Sequence, residues 1–196
     1  SKGGAKDSVY HPGTKMNYNK NTHIILCSNN KTGISASPWI DSYHAVEIYS
    51  EALYAGLDDH TIEFSAVRGP SNNAFATIES ISYYSDFRWY KIQGIDEISP
   101  LYRIKQYTDK SGKKEVTVKG LSSFTGLDET QCQLLLMNLS LGGFVTYESY
   151  RQTAIVKDKL YDYIKNNAKK KDYDVLRMLS TTKNGEPNAV LNIYDM

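Results

Sequence analysis

The sequence predicts an α+β protein: an antiparallel or solenoid-like β region interrupted by a helical unit. Three observations carry this. Residues 22–84 alternate apolar and polar side chains with period two, as half-buried strands do. From Ser99 to Asn167 the spacing lengthens to i, i+3, i+4, as in helices packed on one face. Beyond residue 172 the alternation returns around Asn184–Gly185, a pair that favours a tight turn. The expected boundaries are a β-rich region over 1–85, a helical unit over 86–168 and a β hairpin over 169–196 that rejoins the first region.

Residues 1–22 are polar, with a turn signal at Pro12–Gly13. "THIILCS" (22–28) reads as a strand and "NNKTG" (29–33) as a turn. Pro38 argues against a central strand over 34–43, because proline donates nothing to a ladder. In 44–55, Val46, Ile48 and Ser50 alternate with Glu47 and Tyr49, and the end of the stretch turns helix-like. Ile62, Phe64 and Ala66 alternate with Glu63 and Ser65 up to Gly69–Pro70, and 74–84 alternates again.

In the helical unit Ser99 suits an N-cap and Pro100 the first helical position, where its fixed φ and missing N–H cost nothing. Leu101, Ile104 and Tyr107 fall on one face. "EVTVKGLSSFTG" holds a short strand and a helical turn. Asp128 and Glu129 sit where acids favour a helix start, and Cys132, Leu135, Leu136 and Leu139 form its apolar stripe. Gly142–Gly143 stops it. "FVTYE" and "TAIV" bracket "SYRQ" as a hairpin, and 157–167 is a further helix with Leu160, Tyr163 and Ile164 inward. This order over 86–168 resembles a winged helix.

A winged helix that reads DNA lays its long second helix in the major groove and anchors on phosphates with Lys and Arg. From Leu121 to Tyr150 the chain has neither. The face expected to be exposed, with Glu129, Gln133 and Ser140, is neutral to acidic. A formal net charge of +1 and a pI near 7.7 show no basic excess. Nucleic acid is therefore a disfavoured partner. Were it bound, backbone contacts would fall to Lys113, Lys114, Arg151 and Lys157, which surround the long helix without lying on it.

Other chemistry is sparsely signalled. "SYYSDFRWYKIQG" (82–94) gathers Tyr83, Tyr84, Arg88, Trp89 and Tyr90, the residue types of contact hot spots. The same cluster also suits glue between the β region and the helical unit, and this reading is preferred. Asp41, Glu47, Glu51, Asp58 and Asp59 lie among Trp39, Tyr43, Tyr49 and Tyr54, which raises a carbohydrate-binding or glycan-hydrolysing alternative. His11, His23, His44 and His60 match no metal spacing, and no cofactor or metal is expected. Cys27 and Cys132 read as small buried hydrophobes. No apolar run approaches the roughly 20 residues of a membrane span. The chain opens without Met and stops in the strand-like "LNIYDM", which suggests a piece of a longer protein.

Three phrases carry a wider likeness: "DDHTIEFSAVRG", "FATIESISYYSDFRWYKIQGIDEISPLYRI" and "KKDYDVLRMLSTTKNGEPNAVLNIYDM". Across about 22–196 the chain resembles a segment of a family of large, uncharacterised exported proteins of Gram-negative bacteria. The resemblance implies β-rich stretches around a small helical unit and a place in the cell envelope. Partners would be the remainder of a parent protein or another envelope protein. It implies no activity and no catalytic residue. The expected function is a non-catalytic structural or protein-interaction segment. The first alternative is a cytoplasmic nucleic-acid-binding winged helix, and the second is the carbohydrate reading.

Overall fold

The computed structural model describes residues 7–28, 37–58, 60–67, 73–94, 97–183 and 185–192. The "NNKTG" turn, Asp59, the Gly69–Pro70 stop, Asn184 and the last four residues lie outside them. The described residues form five helices and thirteen strands in three antiparallel sheets, an α+β fold. Eight strands come first: β1 (Val9–Tyr10), β2 (Lys15–Asn19), β3 (Ile24–Ser28), β4 (Trp39–Asp41), β5 (Val46–Tyr49), β6 (Ala52–Gly56), β7 (Thr61–Ser65) and β8 (Asn73–Ser80). Then follow α1 (Asp86–Gln93), α2 (Pro100–Ser111), β9 (Glu115–Thr117), α3 (Val118–Thr125) and α4 (Glu129–Leu141). The hairpin β10 (Val145–Glu148) and β11 (Thr153–Val156), then α5 (Asp158–Asn167), β12 (Arg177–Lys183) and β13 (Ala189–Asn192) complete the chain.

Two compact units result: a β unit of 1–31, 38–81 and 176–196, and a helical unit of 32–37 and 82–175. The β unit is a sandwich. One sheet has the order β1-β4-β5-β8-β12 and the other β13-β7-β6-β3-β2. Register aligns Cys27, Leu53, Phe64 and Ala189 across four strands of the second sheet, so their side chains share its inner face. Trp39 and Ile48 of the first sheet meet Leu53 and Phe64 in the buried layer, and the Trp39 and Phe64 rings meet edge-on at 6.2 Å.

Three expectations are corrected here. The stretch 44–55 is two strands of different sheets, β5 and β6, separated at Ser50–Glu51. Period-two alternation continues through such a break, so pattern alone cannot show it. Pro38 does not exclude a strand, because it precedes β4 and removes no ladder bond. The C-terminal strands are not a hairpin: β12 pairs β8, and β13 pairs β7 in the other sheet. Asn188 fixes this crossing. Its amide Nδ2 donates to the carbonyls of Ala74 and Ser180, while its backbone N–H donates to Phe64.

The helical unit has a larger core, in which Leu101, Ile104, Val116, Leu121, Cys132 and Leu136 are wholly buried. Its small sheet has the order β10-β11-β9, so the hairpin closes against the short strand before α3. Asp128 caps α4 in a reciprocal capping box with Gln131. Ser99 occupies the N-cap position of α2, but its hydroxyl makes no capping bond. Gly112 ends that helix at φ 68°, where a side chain would be strained. Tyr163 is the hub of the unit. Its ring packs on Tyr84, Trp89 and Phe144, and its hydroxyl donates to the Ser85 carbonyl at 3.1 Å.

Gly120 lies inside α3, where alanine would ordinarily gain about 1 kcal/mol in helix propensity. Here an added Cβ would stand 2.3 Å from the Tyr107 hydroxyl and 2.7 Å from Oγ1 of Thr117, the residue that caps α3. Gly120→Ala is therefore expected to lower stability by about 1–3 kcal/mol despite its propensity. Tyr107→Phe in the same chain should restore part of that loss. Chemical denaturation of the three variants checks both, and a stabilised Gly120→Ala would refute the contact.

Burial, then the hydrogen bond to Asp86, hold the Tyr84 hydroxyl protonated far above the usual phenol range. Its O–H also donates to Asn167 Oδ1 at 2.9 Å. The folded pKa is raised, so this contribution is complete below about pH 10 and is lost as pH climbs above it. Tyr84→Phe should lower stability by about 1 kcal/mol near neutral pH and flatten the alkaline fall. Denaturation midpoints between about pH 8 and pH 11 test this. An unchanged alkaline slope would contradict it.

Candidate functional site

The helix α4 has two opposite apolar stripes. Cys132, Leu136 and Leu139 face the core of the helical unit. At 100° per residue Leu134, Met137 and Leu141 fall on the other side. They are 55%, 37% and 54% exposed. Thr130, Gln131 and Asn138 flank them and are also exposed, and none carries charge. Ser140, expected on the outer face, is instead buried with its Oγ 3.2 Å from Ser37 Oγ. The spacing Leu134–Met137–Leu141 was legible as i, i+3, i+7. The sequence reading assigned only the inner stripe, because one apolar face suffices to explain a surface helix.

The basic residues around this helix are mostly engaged. Lys114 Nζ lies 2.6 Å from Asp158. Their hydrogen bond lifts the ammonium pKa and lowers that of the carboxyl. Arg151, in the exposed turn of the hairpin, pairs with Glu148 at 3.6 Å. The Lys157 ammonium nitrogen is buried. Lys113 is exposed. Beside Arg151 the turn presents Tyr150, which is almost wholly exposed.

The aromatic cluster divides. Tyr84 and Trp89 are core side chains of the helical unit, so they cannot act as surface contacts. Residues 86–93 form α1, capped by Ser85, and this helix was not foreseen. Tyr83 is half-buried beneath the Arg88 guanidinium, 4.9 Å from its ring centroid. Tyr90 and Phe87 point to solvent. As a surface, the expected set reduces to Tyr83, Arg88 and Tyr90.

The carboxylates and histidines take structural positions. Register sets Glu47 directly across from Glu79 and Glu79 across from Arg177. The Tyr49 hydroxyl donates to Glu47 at 2.8 Å, and Arg177 Nε donates to Glu79 at 3.0 Å. Both acids are sealed from solvent, at 3% and 1% exposure, so no glycoside can enter between them. Trp39 is likewise buried. Asp41 accepts from the backbone of Tyr43 and His44 and pairs with the His44 ring at 2.7 Å. Exposed His23 pairs with Asp58. Among the described residues no three His, Cys, Asp or Glu side chains gather as metal ligands.

In the β unit, β12 is an edge strand, and Leu179 and Met178 on it are exposed, as is Phe75 on the adjacent β8. No helix among the described residues is long and apolar enough to cross a membrane. No protein-family model, curated protein or solved structure matches the chain.

The two thiols differ in setting. Cys132 is fully buried, and burial pushes its pKa up, whereas Cys27 is half-buried. A thiolate is the reactive form. A soluble thiol reagent should therefore label Cys27 in the native protein and Cys132 only after unfolding. Peptide mapping of the labelled chain reads this directly, and native labelling of Cys132 would contradict the packing of α4.

Proposed function

We propose that the chain is a non-catalytic, protein-contacting segment of a larger exported protein, with the helical unit as a winged-helix-shaped docking module. The single observation that carries this reading is the outer face of α4. In a DNA-reading winged helix that face supplies polar and cationic side chains to base edges and phosphates. Here it offers Leu134, Met137 and Leu141, and no Lys or Arg occurs between Leu121 and Tyr150. Phosphate contacts dominate nucleic-acid affinity, so an apolar helix without cations has little to bind with. Burial against another protein is what an exposed i, i+3, i+7 stripe favours. The occupant is a polypeptide with an apolar groove or helix face, from the parent chain or an envelope neighbour. The likeness of 22–196 to large exported proteins supports the same reading.

A photo-crosslinking amino acid at Leu134, in the chain as expressed in its cell, tests it. Protein adducts are expected at Leu134 and not at Lys119, which is exposed elsewhere on the unit. In parallel, anisotropy of a labelled DNA duplex should show no binding at low or physiological salt. Nucleic-acid adducts, or duplex binding that weakens with salt and in Arg151→Ala, would overturn the proposal. So would equal yields at the two positions.

A further inference from the structure

The geometry points to a binding site for a neutral saccharide on the outer face of the β2–β3–β6 sheet. A cleft of about 320 Å³ opens there. Register places Asn17 across from Leu26, Asn19 across from Ile24, and Tyr54 beside Leu26 on the next strand. These five side chains share one face, the reverse of the face that Cys27, Leu53 and Phe64 turn to the core. Thr22 completes the rim, and Tyr18 borders the cleft with its side chain on the opposite face of β2. The volume lies at the lower end of the roughly 300–1,000 Å³ of small-molecule sites, space for about one or two sugar rings.

The lining selects the ligand class. None of these residues is charged, so a phosphate, carboxylate or ammonium group would find no counter-ion in the cleft. Ile24 and Leu26 are half-buried and make an apolar floor. Tyr54 lines one side but is largely buried, and its hydroxyl donates to the Ala66 carbonyl at 3.3 Å, which fixes it in place. Its remaining surface adds an aromatic element to the wall beside the apolar floor. The rim is made of amides. Asn19 Oδ1 accepts the Asn21 N–H at 2.9 Å, which orients its side chain. Asn17 is exposed on the edge strand β2. An amide offers donors and acceptors side by side, matching the adjacent hydroxyls of a sugar. A wholly apolar ligand would leave those amides without partners. Apolar floor, aromatic wall and amide rim together are the two faces of a neutral sugar in negative. This site lies in the β unit and does not depend on the function proposed for α4.

Isothermal titration calorimetry and saturation-transfer NMR on the whole chain test the site. The probes are cello-, manno- and xylo-oligosaccharides, with oligogalacturonate as the charged control. At least one neutral oligomer is expected to bind in the micromolar to millimolar range, with little dependence on salt. Asn17→Ala and Asn19→Ala, both at exposed positions on the cleft face of β2, should each weaken it about tenfold with an unchanged circular dichroism spectrum. No neutral binding at about 10 mM would overturn the proposal. Binding undiminished in the Asn17→Ala, Asn19→Ala double variant, or tighter binding of oligogalacturonate, would overturn it too.

Discussion

The β unit depends on β8 finding β12 across the whole helical segment. Seven residue pairs join these strands, from Arg177↔Glu79 to Lys183↔Asn73. The closure is entropically expensive but only weakly dependent on length, so a ninety-residue insertion costs little more than a short one. Charge favours this register. Glu79 is buried, and a buried carboxylate without a partner is far costlier than one that is paired. In the observed alignment Arg177 Nε lies 3.0 Å from the Glu79 carboxylate. A slip of one residue would remove that pairing and turn every side chain of β12 to the opposite face. The same closure leaves β12 at the sheet edge, with Leu179 in solvent.

The helical unit is built differently. Many of its contacts follow chain order: α2 meets β9 and α3, α3 meets α4, and α4 meets β10, while α2 also meets α5 and β11 pairs β9. Such local topology lowers the entropic barrier to folding. Two aromatic ties then bring its ends together. Tyr84, just before α1, bonds Asn167 at the end of α5, and Tyr163 bonds Ser85. The hydroxyls hydrogen-bond within a layer of rings, so each ring is positioned by a partner distant in sequence.

Legibility in the sequence follows the same division. The acidic start of α4 at Asp128–Glu129, the glycine stops and the inward Leu160, Tyr163 and Ile164 were readable because their causes lie within four residues of one another. The strands at 46–49, 61–65 and 73–80 were readable as alternation. Their sheet was not, since pairing is decided by partners remote in sequence. For that reason β5 and β6 appeared as one element, and β12 and β13 as a hairpin. The helix α1 was hidden because Phe87 and Tyr90 are exposed while Trp89 is buried, so aromatic content masked the helical period. The cleft was equally hidden: Asn17, Ile24 and Tyr54 become neighbours only through two ladders.

The two surfaces differ in what water does at them, and this decides what each can hold. The α4 stripe has no polar atom on Leu134 or Leu141 and only a thioether on Met137. Binding there gains free energy by expelling water from both partners, which requires a matching apolar surface. A sugar, hydroxylated on its edges, would lose hydrogen bonds against it. In the cleft the amides of Asn17 and Asn19 stay hydrated at the rim while Ile24, Leu26 and Tyr54 form a drier floor. An apolar helix placed there would bury amides without partners, whereas a ligand with hydroxyls on one edge and C–H groups on its face satisfies both zones. Neither surface needs a reactive side chain. Glu47 and Glu79 are sealed beneath Tyr49 and Arg177 contacts and Cys132 is closed in the core, so both proposals rest on contact alone: protein at α4 and polyol at the cleft.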